Sequence, residues 1–342
     1  MKKTTKWMAL SFLISLTVMA GVLIYTFDAN TLESIRNIKP FYIVLAIVLH
    51  LSSYAVWGLR TSVLSKALGY RIGLTNAIQI VTSSTFLASI TPSSIGGEPL
   101  RIHLLNNNNM PIGSATAVVL GERVLDAIII LLAAPFALYL FRDITADHNF
   151  DVIIIAGEVF LFFILGILLY AIWKPMHTRR AIQWIVKRCE NAFGEKRKTF
   201  FCNLSEKIDT ELEEFHDSIY YILSKGKIGL LKGIICTLFF WIVEFSMLPV
   251  ILIGLNVEPL GLVVYAAQVL LMIVVIIPTT PGSSGVAELC ATTLFSVFVP
   301  TYVLGIVVIS WRAFTYYMNL LVGGFVSFKI LRDTVLVNRM LK

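Results

Sequence analysis

The chain has 342 residues, of which 57% are hydrophobic and only 14% charged, with a formal net charge of +7 and a mean hydropathy of +0.81. That balance excludes a soluble globular chain and indicates a polytopic membrane protein. The apolar residues come in unbroken runs of roughly 20, the length one helix needs to cross a bilayer, rather than in the short alternating segments of a transmembrane barrel, so the expected fold class is all-α.

In chain order, full spans are predicted at Trp7 to Phe27, Phe41 to Leu59, Gly113 to Leu140, Val152 to Trp173, Ile228 to Ile253 and Tyr302 to Phe328. Lys2, Lys3 and Lys6 precede the first as they would a signal peptide, but its apolar core is long and no small-x-small cleavage site follows, so it is expected to be retained. Two further apolar segments, Leu74 to Ile90 and Leu262 to Ile277, each run into a polar break followed by a short helical stretch. Both are expected to be re-entrant hairpins. The breaks read Thr91-Pro92-Ser93-Ser94-Ile95-Gly96-Gly97-Glu98 and Thr280-Pro281-Gly282-Ser283-Ser284-Gly285-Val286-Ala287-Glu288. Each follows the scheme Thr-Pro, an optional Gly, Ser-Ser, three residues, Glu. Non-helical backbone is tolerated at membrane depth only inside protein or beside a polar cavity, so a matched pair of breaks points to a transport site. Taken singly, each break also fits a Gly/Pro kink in an ordinary span.

Lys and Arg near span ends set orientation. With the amino terminus inside, the cytoplasmic segments carry Lys2, Lys3, Lys6, Arg60, Lys66, Arg71, Arg101, the stretch Lys174 to Lys232, Lys329, Arg332, Arg339 and Lys342, while the outer segments carry Arg36, Lys39 and Arg142. Six spans and two hairpins preserve this asymmetry, with both termini cytoplasmic in a prokaryotic plasma membrane. The hairpins would then enter from opposite sides, giving an inverted repeat within one integral membrane domain, residues 1–342. Residues 1–140 form its first repeat region, 174–227 a cytoplasmic amphipathic connector and 228–342 its second repeat region, and the two tips are expected to meet mid-bilayer.

In the connector, Ile182, Ile185, Val186, Cys189 and Phe193 recur at helical spacing among Arg179, Arg180, Lys187 and Arg188. This suits a helix lying on anionic lipid at the cytoplasmic face, followed by a more acidic helix around Glu206 to Asp217; a solvated loop is the alternative. No metal-ligand spacing occurs among Cys189, Cys202, Cys236 and Cys290, nor an i, i+4 pair among the histidines, and no phosphate-binding glycine loop is present. No metal, cofactor or catalytic residue is assigned, and no nucleic acid is expected as a partner.

Nine charged residues fall in or beside the apolar segments: Glu98, Arg101, Glu122, Arg123, Asp126, Glu158, Glu244, Glu288 and Arg312. Acids outnumber bases, so some acids must be neutral, solvated or matched by a cationic ligand. Glu98 and Arg101 lie three apart on the helix leaving the first break, where Pro99 suits the first turn and free amides favour an anion such as phosphate. Glu122 and Asp126, four apart, share a face about 13 Å into their span, with Arg123 three before Asp126, and Arg312 lies roughly 15 Å into its own from the opposite side. Alternatively these residues pair with one another and hold helices together, the reading preferred for Glu158 and Glu244.

The combination of Pro92-x-x-x-Gly96-Gly97-Glu98-Pro99-x-Arg101, Glu122-Arg123-x-x-Asp126, Pro278-x-x-Pro281-Gly282-x-x-Gly285-x-x-Glu288 and Arg312 resembles the lysylphosphatidylglycerol synthase transmembrane-region family, also called flippase-like proteins. The resemblance covers essentially the whole chain. It implies a membrane domain that moves phospholipids or lipid-linked head groups between leaflets. Bifunctional members carry a fused aminoacyl-transferase; this sequence ends at Lys342 a few residues past the last span, so that activity is not expected of it.

The expectation is a non-enzymatic lipid translocase with a polar cavity at the hairpin tips. Its substrate-binding residues are Ser93, Ser94, Gly96, Gly97, Glu98, Arg101, Glu122, Arg123, Asp126, Ser283, Ser284, Gly285, Glu288 and Arg312. Arg101, Arg123 and Arg312 would hold the lipid phosphate, and Glu98 and Glu288 would receive a head-group amine or a coupling proton. Alternatives are a transporter of a small hydrophilic solute, an intramembrane enzyme on lipid-linked substrates with Glu98 or Asp126 as base, and a non-transporting partner of a lipid-modifying enzyme or glycosyltransferase. A second copy of the chain is a further partner left open.

Overall fold

The computed structural model describes residues 2–91, 96–142, 148–180, 183–184, 188, 198–276, 280 and 282–340. The described residues form helices joined by short turns: α1 (Lys2–Thr26), α2 (Ala29–Arg36), α3 (Pro40–Ala67), α4 (Leu74–Ile90), α5 (Gly97–Asn106), α6 (Ile112–Arg142), α7 (His148–Trp173), α8 (Lys198–Ser224), α9 (Lys227–Phe245), α10 (Met247–Gly254), α11 (Gly261–Ile276), α12 (Val286–Phe295), α13 (Thr301–Arg312) and α14 (Asn319–Met340), with a π-helical segment, Ala313–Met318, joining the last two. The fold is that of an all-α membrane protein. Large aliphatic and aromatic side chains such as Leu132, Phe136, Phe162, Phe239 and Phe325 are exposed on its long helices, as a lipid-facing surface requires.

Four stretches are long and apolar enough to cross a bilayer: Pro40–Ala67, Ile112–Phe141, Lys227–Gly254 and Thr301–Arg332. They contain the second, third, fifth and sixth expected spans. The first expected span coincides with α1, which turns by 113° into α2. Asp28 makes that corner by accepting the Asn30 and Thr31 amides, the N-terminal cap that lets α2 begin at once. The fourth coincides with α7.

Both breaks produce helical hairpins. The helices that leave them, α5 and α12, have 10 residues each. At about 1.5 Å per residue each is about 15 Å long, half the hydrocarbon thickness. α5 folds back on α4 and α12 on α11. The halves interlock: α4 also packs against α14, α11 against α6, and α1 touches α4, α12 and α13.

The connector departs in part from expectation. Ile182, Ile185, Val186, Cys189 and Phe193 lie outside the described residues. The acidic helix is present as α8, and it is docked on α6 rather than solvated. Glu211 accepts the Gly113 amide at 2.6 Å, Glu214 accepts the Ser114 hydroxyl at 2.6 Å, and Phe215 and Ile219 pack on Ala117. Free amides at the start of a helix attract carboxylates, which accounts for the docking.

Candidate functional site

The first break delivers its charges at the start of α5. Thr91 ends α4 by donating its hydroxyl to the Leu87 carbonyl at 2.8 Å and accepting the Gly96 amide at 3.0 Å. Pro92, Ser93, Ser94 and Ile95 lie outside the described residues. Gly97 lies so close to α4 that a Cβ there would stand 3.0 Å from the Ser84 carbonyl oxygen. The missing side chain brings Glu98 and Arg101 down onto the α3–α6 interface.

There six side chains close a ring of alternating charge. Arg60 bonds Glu122 (3.2 Å), Glu122 bonds Arg101 (2.5 Å), Arg101 bonds Glu98 (3.3 Å), Glu98 bonds Arg123, Arg123 bonds Asp126 (3.4 Å), and Asp126 returns to Arg60 (2.6 Å). Trp57 lies against it, its ring within 6 Å of the Arg60, Arg101 and Arg123 guanidiniums (5.9, 5.0 and 5.5 Å) and its indole N–H donating to Glu122 at 2.9 Å. Thr61 donates to Glu122 at 2.7 Å and Trp241 to Asp126 at 3.1 Å. Charges removed from water are tolerable only when paired and hydrogen-bonded, and this closure provides both.

Exposure across the ring is uneven. The Arg101 and Glu122 side chains are 0% exposed, whereas Arg123 is 40% and Glu98 24% exposed. One edge of the ring is therefore open, and the remainder is sealed.

The second break forms a smaller counterpart. Gly282, Ser283 and Gly285 all adopt left-handed backbone (φ 59°, 52° and 89°). Such a conformation is uncommon for serine and marks a locally strained turn. Glu288 accepts the Gly285 amide at 2.6 Å, the Arg312 Nε at 2.8 Å and the Ser15 hydroxyl. Arg312 also donates to the Gly282 carbonyl at 2.8 Å and the Ser284 hydroxyl at 3.4 Å, and stacks on Tyr316 at 4.4 Å. In both halves a glutamate near the start of the helix leaving the break pairs with an arginine on the next long helix, 25 residues later for Glu98–Arg123 and 24 for Glu288–Arg312. The repeated break sequences thus build a repeated ion pair.

The tips approach one another at Gly282, where a Cβ would fall 2.7 Å from the Ser89 carbonyl at the end of α4 and 2.5 Å from the Tyr316 ring. The charged residues are divided between two networks: Glu98, Arg101, Glu122, Arg123 and Asp126 in the ring, Glu288 and Arg312 in the counterpart.

Residues 8–323 match the family described as the lysylphosphatidylglycerol synthase TM region. The chain belongs to that family. A UPF0104 membrane protein of Archaeoglobus fulgidus is 32% identical, with 97% of this chain and 99% of that one aligned. Others in Methanocaldococcus jannaschii (25% identical; 97% and 96% aligned) and Pyrococcus horikoshii (22%; 94% and 96%) are similar over almost their whole lengths. No solved structure matches. Together with the apolar helices, these relatives make the protein a multi-pass membrane protein.

Sequence reasoning missed Arg60, Trp57 and Thr61. Arg60 was expected in a cytoplasmic segment because the apolar run stops at Leu59, but α3 continues to Ala67 and Arg60 is fully buried. The available signal was spacing: Trp57, Arg60 and Thr61 lie three and four apart, on one helical face. With Arg60 counted, the ring is neutral. The acidic excess resides in Glu158 and Glu244, and neither enters an ion pair among the described residues, contrary to the pairing expected of them.

Proposed function

We propose that the protein is a lipid translocase in which the exposed Glu98–Arg123 edge of the ring receives the head group of a phospholipid or lipid-linked substrate. One observation carries this reading: a closed, otherwise buried ring of charge opens to the surroundings at a single acid–base pair. A head group bearing phosphate and amine can insert there by exchange. Its phosphate replaces Glu98 on Arg123, its amine replaces Arg123 on Glu98, and the alternation of charge continues through the ligand. Exchange keeps every buried charge matched, so the large cost of an unpaired ion is avoided. The planar guanidinium fork suits phosphate oxygens, and the acyl chains stay in lipid.

Arg101 and Arg312, both buried against acids, act as positioning residues for Glu98 and the second tip. The contact between Gly282 and α4 supports movement of one half against the other, with the hairpins entering from opposite sides and both termini cytoplasmic.

Charge-assisted hydrogen bonds contribute about 1.5 to 3 kcal/mol, so Arg123→Ala should slow head-group movement about tenfold to a hundredfold in reconstituted vesicles. Arg123→Lys should recover part of the rate. Wild-type movement of a labelled phospholipid by Arg123→Ala would remove the assignment, and uptake of a soluble solute without lipid movement would replace the reading with that of a solute transporter.

A further inference from the structure

Where α7 ends, the chain turns out of line with the span. Lys174 is non-helical, Pro175 opens a new helical stretch, and the Thr178 hydroxyl donates to the Ala171 carbonyl at 3.0 Å. Seven residues of unbroken helix cover about 10 Å along the axis, so that bond forms only across a bend. The Tyr170 hydroxyl, 2.8 Å from His177 Nδ1, closes the same corner. Beyond it, helical backbone is described at 175–180, 183–184 and 188.

Two sides of this stretch have different surroundings. Arg179 and Gln183, four apart, both donate to the Asp209 carboxylate of α8, at 3.0 Å for each Arg179 bond and at 2.9 and 3.0 Å for Gln183. Arg179 also reaches Glu213 at 3.0 Å, and α8 is itself fixed on α6 through Glu211 and Glu214. Arg180 and Trp184, the residues that follow them, lie about 100° round the helix, in line with Met176 and Arg188 at the same four-residue spacing. All four are exposed. The Arg188 guanidinium stands 5.1 Å from the centre of the Trp184 ring, which puts those two on one face. Trp184 is 60% exposed, Met176 61%, and Trp173, the last residue of α7, 85%.

From Lys174 to Arg188 the sequence has five basic residues and no acidic one. Arg179 is matched by α8, whereas Lys174, Arg180 and Arg188 enter no ion pair among the described residues. Indole rings and a methionine left outside the protein beside unmatched cations suit the head-group zone of a bilayer, where the rings bury their apolar edges and the cations stay level with phosphate. Position selects a membrane over a soluble partner. Trp173 closes an apolar helix of 26 residues, so this surface is tethered where a span meets the head groups.

We propose that Trp173, Met176, Arg180, Trp184 and Arg188 form a docking surface for anionic phospholipid in the leaflet at which α7 ends. Arg180 and Arg188 hold lipid phosphates, and the two indoles and Met176 enter the top of the acyl layer. Guanidiniums close to an anionic leaflet gain an attraction that a zwitterionic leaflet does not provide. The surface is separate from the Glu98–Arg123 edge and does not rest on the translocase reading.

The full chain in vesicles of mixed phosphatidylcholine and phosphatidylglycerol tests this, with bromine on the upper acyl chains of one lipid or the other as a quencher of tryptophan. The fluorescence difference between wild type and Trp184→Phe isolates Trp184. Either brominated lipid should quench it, and brominated phosphatidylglycerol should do so more strongly at equal mole fraction. Arg180→Gln combined with Arg188→Gln should bring the ratio of the two to one, while Arg180→Lys with Arg188→Lys, which keeps both charges, should hold it above one. Absence of quenching by either lipid would set Trp184 against solution or protein and overturn the surface. Equal quenching by both lipids in wild type, or a preference that survives loss of both arginines, overturns the anionic assignment. A preference abolished by inorganic phosphate on both sides of the bilayer, but not by sodium chloride of the same ionic strength, would give the arginines to a soluble phosphate compound and overturn it as well.

Discussion

Removing Glu288 leaves the Arg312 guanidinium almost fully buried without its carboxylate. An uncompensated buried charge costs about 3 to 5 kcal/mol, so Glu288→Ala should lower the unfolding temperature in detergent markedly. Replacing both partners with apolar residues of similar size should cost less than the single change, because no orphaned ion remains. Equal losses from single and double variants would mean that the pair acts through packing instead. Which acid meets which base was only partly legible. The i, i+3 pairs Glu98–Arg101 and Arg123–Asp126 follow from helical spacing, and the structure contains both. Arg60 sits at the end of an apolar run, where an arginine ordinarily reaches back to the membrane surface; its burial depends on acids of α6 that no local pattern links to it.

At the scale of elements, the hairpins were the most legible part, because proline and glycine inside apolar sequence leave few helical options. The left-handed turn at Gly282 has a sharper consequence. A Cβ there would collide with both Tyr316 and the Ser89 carbonyl, so Gly282→Ala should push the tips apart and slow the proposed head-group movement more than Gly21→Ala, a position with open space around it. Comparable rates would show that tip contact is irrelevant to movement. The connector is a different case, since its charged surface is compatible with solution, membrane or protein. Arg179 donates to both Asp209 oxygens at 3.0 Å and holds that carboxyl below the usual carboxylate range, with Gln183 adding to the effect. An acid favoured in its charged form by folding stabilises at neutral pH, and the benefit disappears as pH falls through the lowered value, below about 4. Spin labels on residues 175–180 and on α8 should give a narrow distance distribution at neutral pH and a broad one in acid, whereas Arg179→Ala should be broad at both.

Over the whole molecule, hydrophobic length and the paired breaks were sufficient to anticipate an all-helical membrane protein with two hairpins. They could not anticipate that the hairpins exchange supports, α4 leaning on α14 and α11 on α6. Cross-half packing depends on small differences in side-chain shape between surfaces that are all apolar, and hydropathy does not distinguish them. The ring and its smaller counterpart share one design at unequal scale, with three acid–base couples on one side and one on the other. That inequality places the accessible charge in the first half.

The wide turn at Ala313–Met318 sets the rotational phase of the carboxy-terminal helix. It accommodates one residue more than an α-helical turn, and one residue corresponds to about 100° of rotation. Asn319 faces Tyr54, and Gly323 fits beneath the Thr82 carbonyl, only in the orientation this turn produces. Deleting a single residue from the segment would swing that whole helix by more than a quarter turn, disengaging Asn319 from the Tyr54 hydroxyl and driving a bulkier neighbour against α4, so one codon should decide whether the two halves mesh.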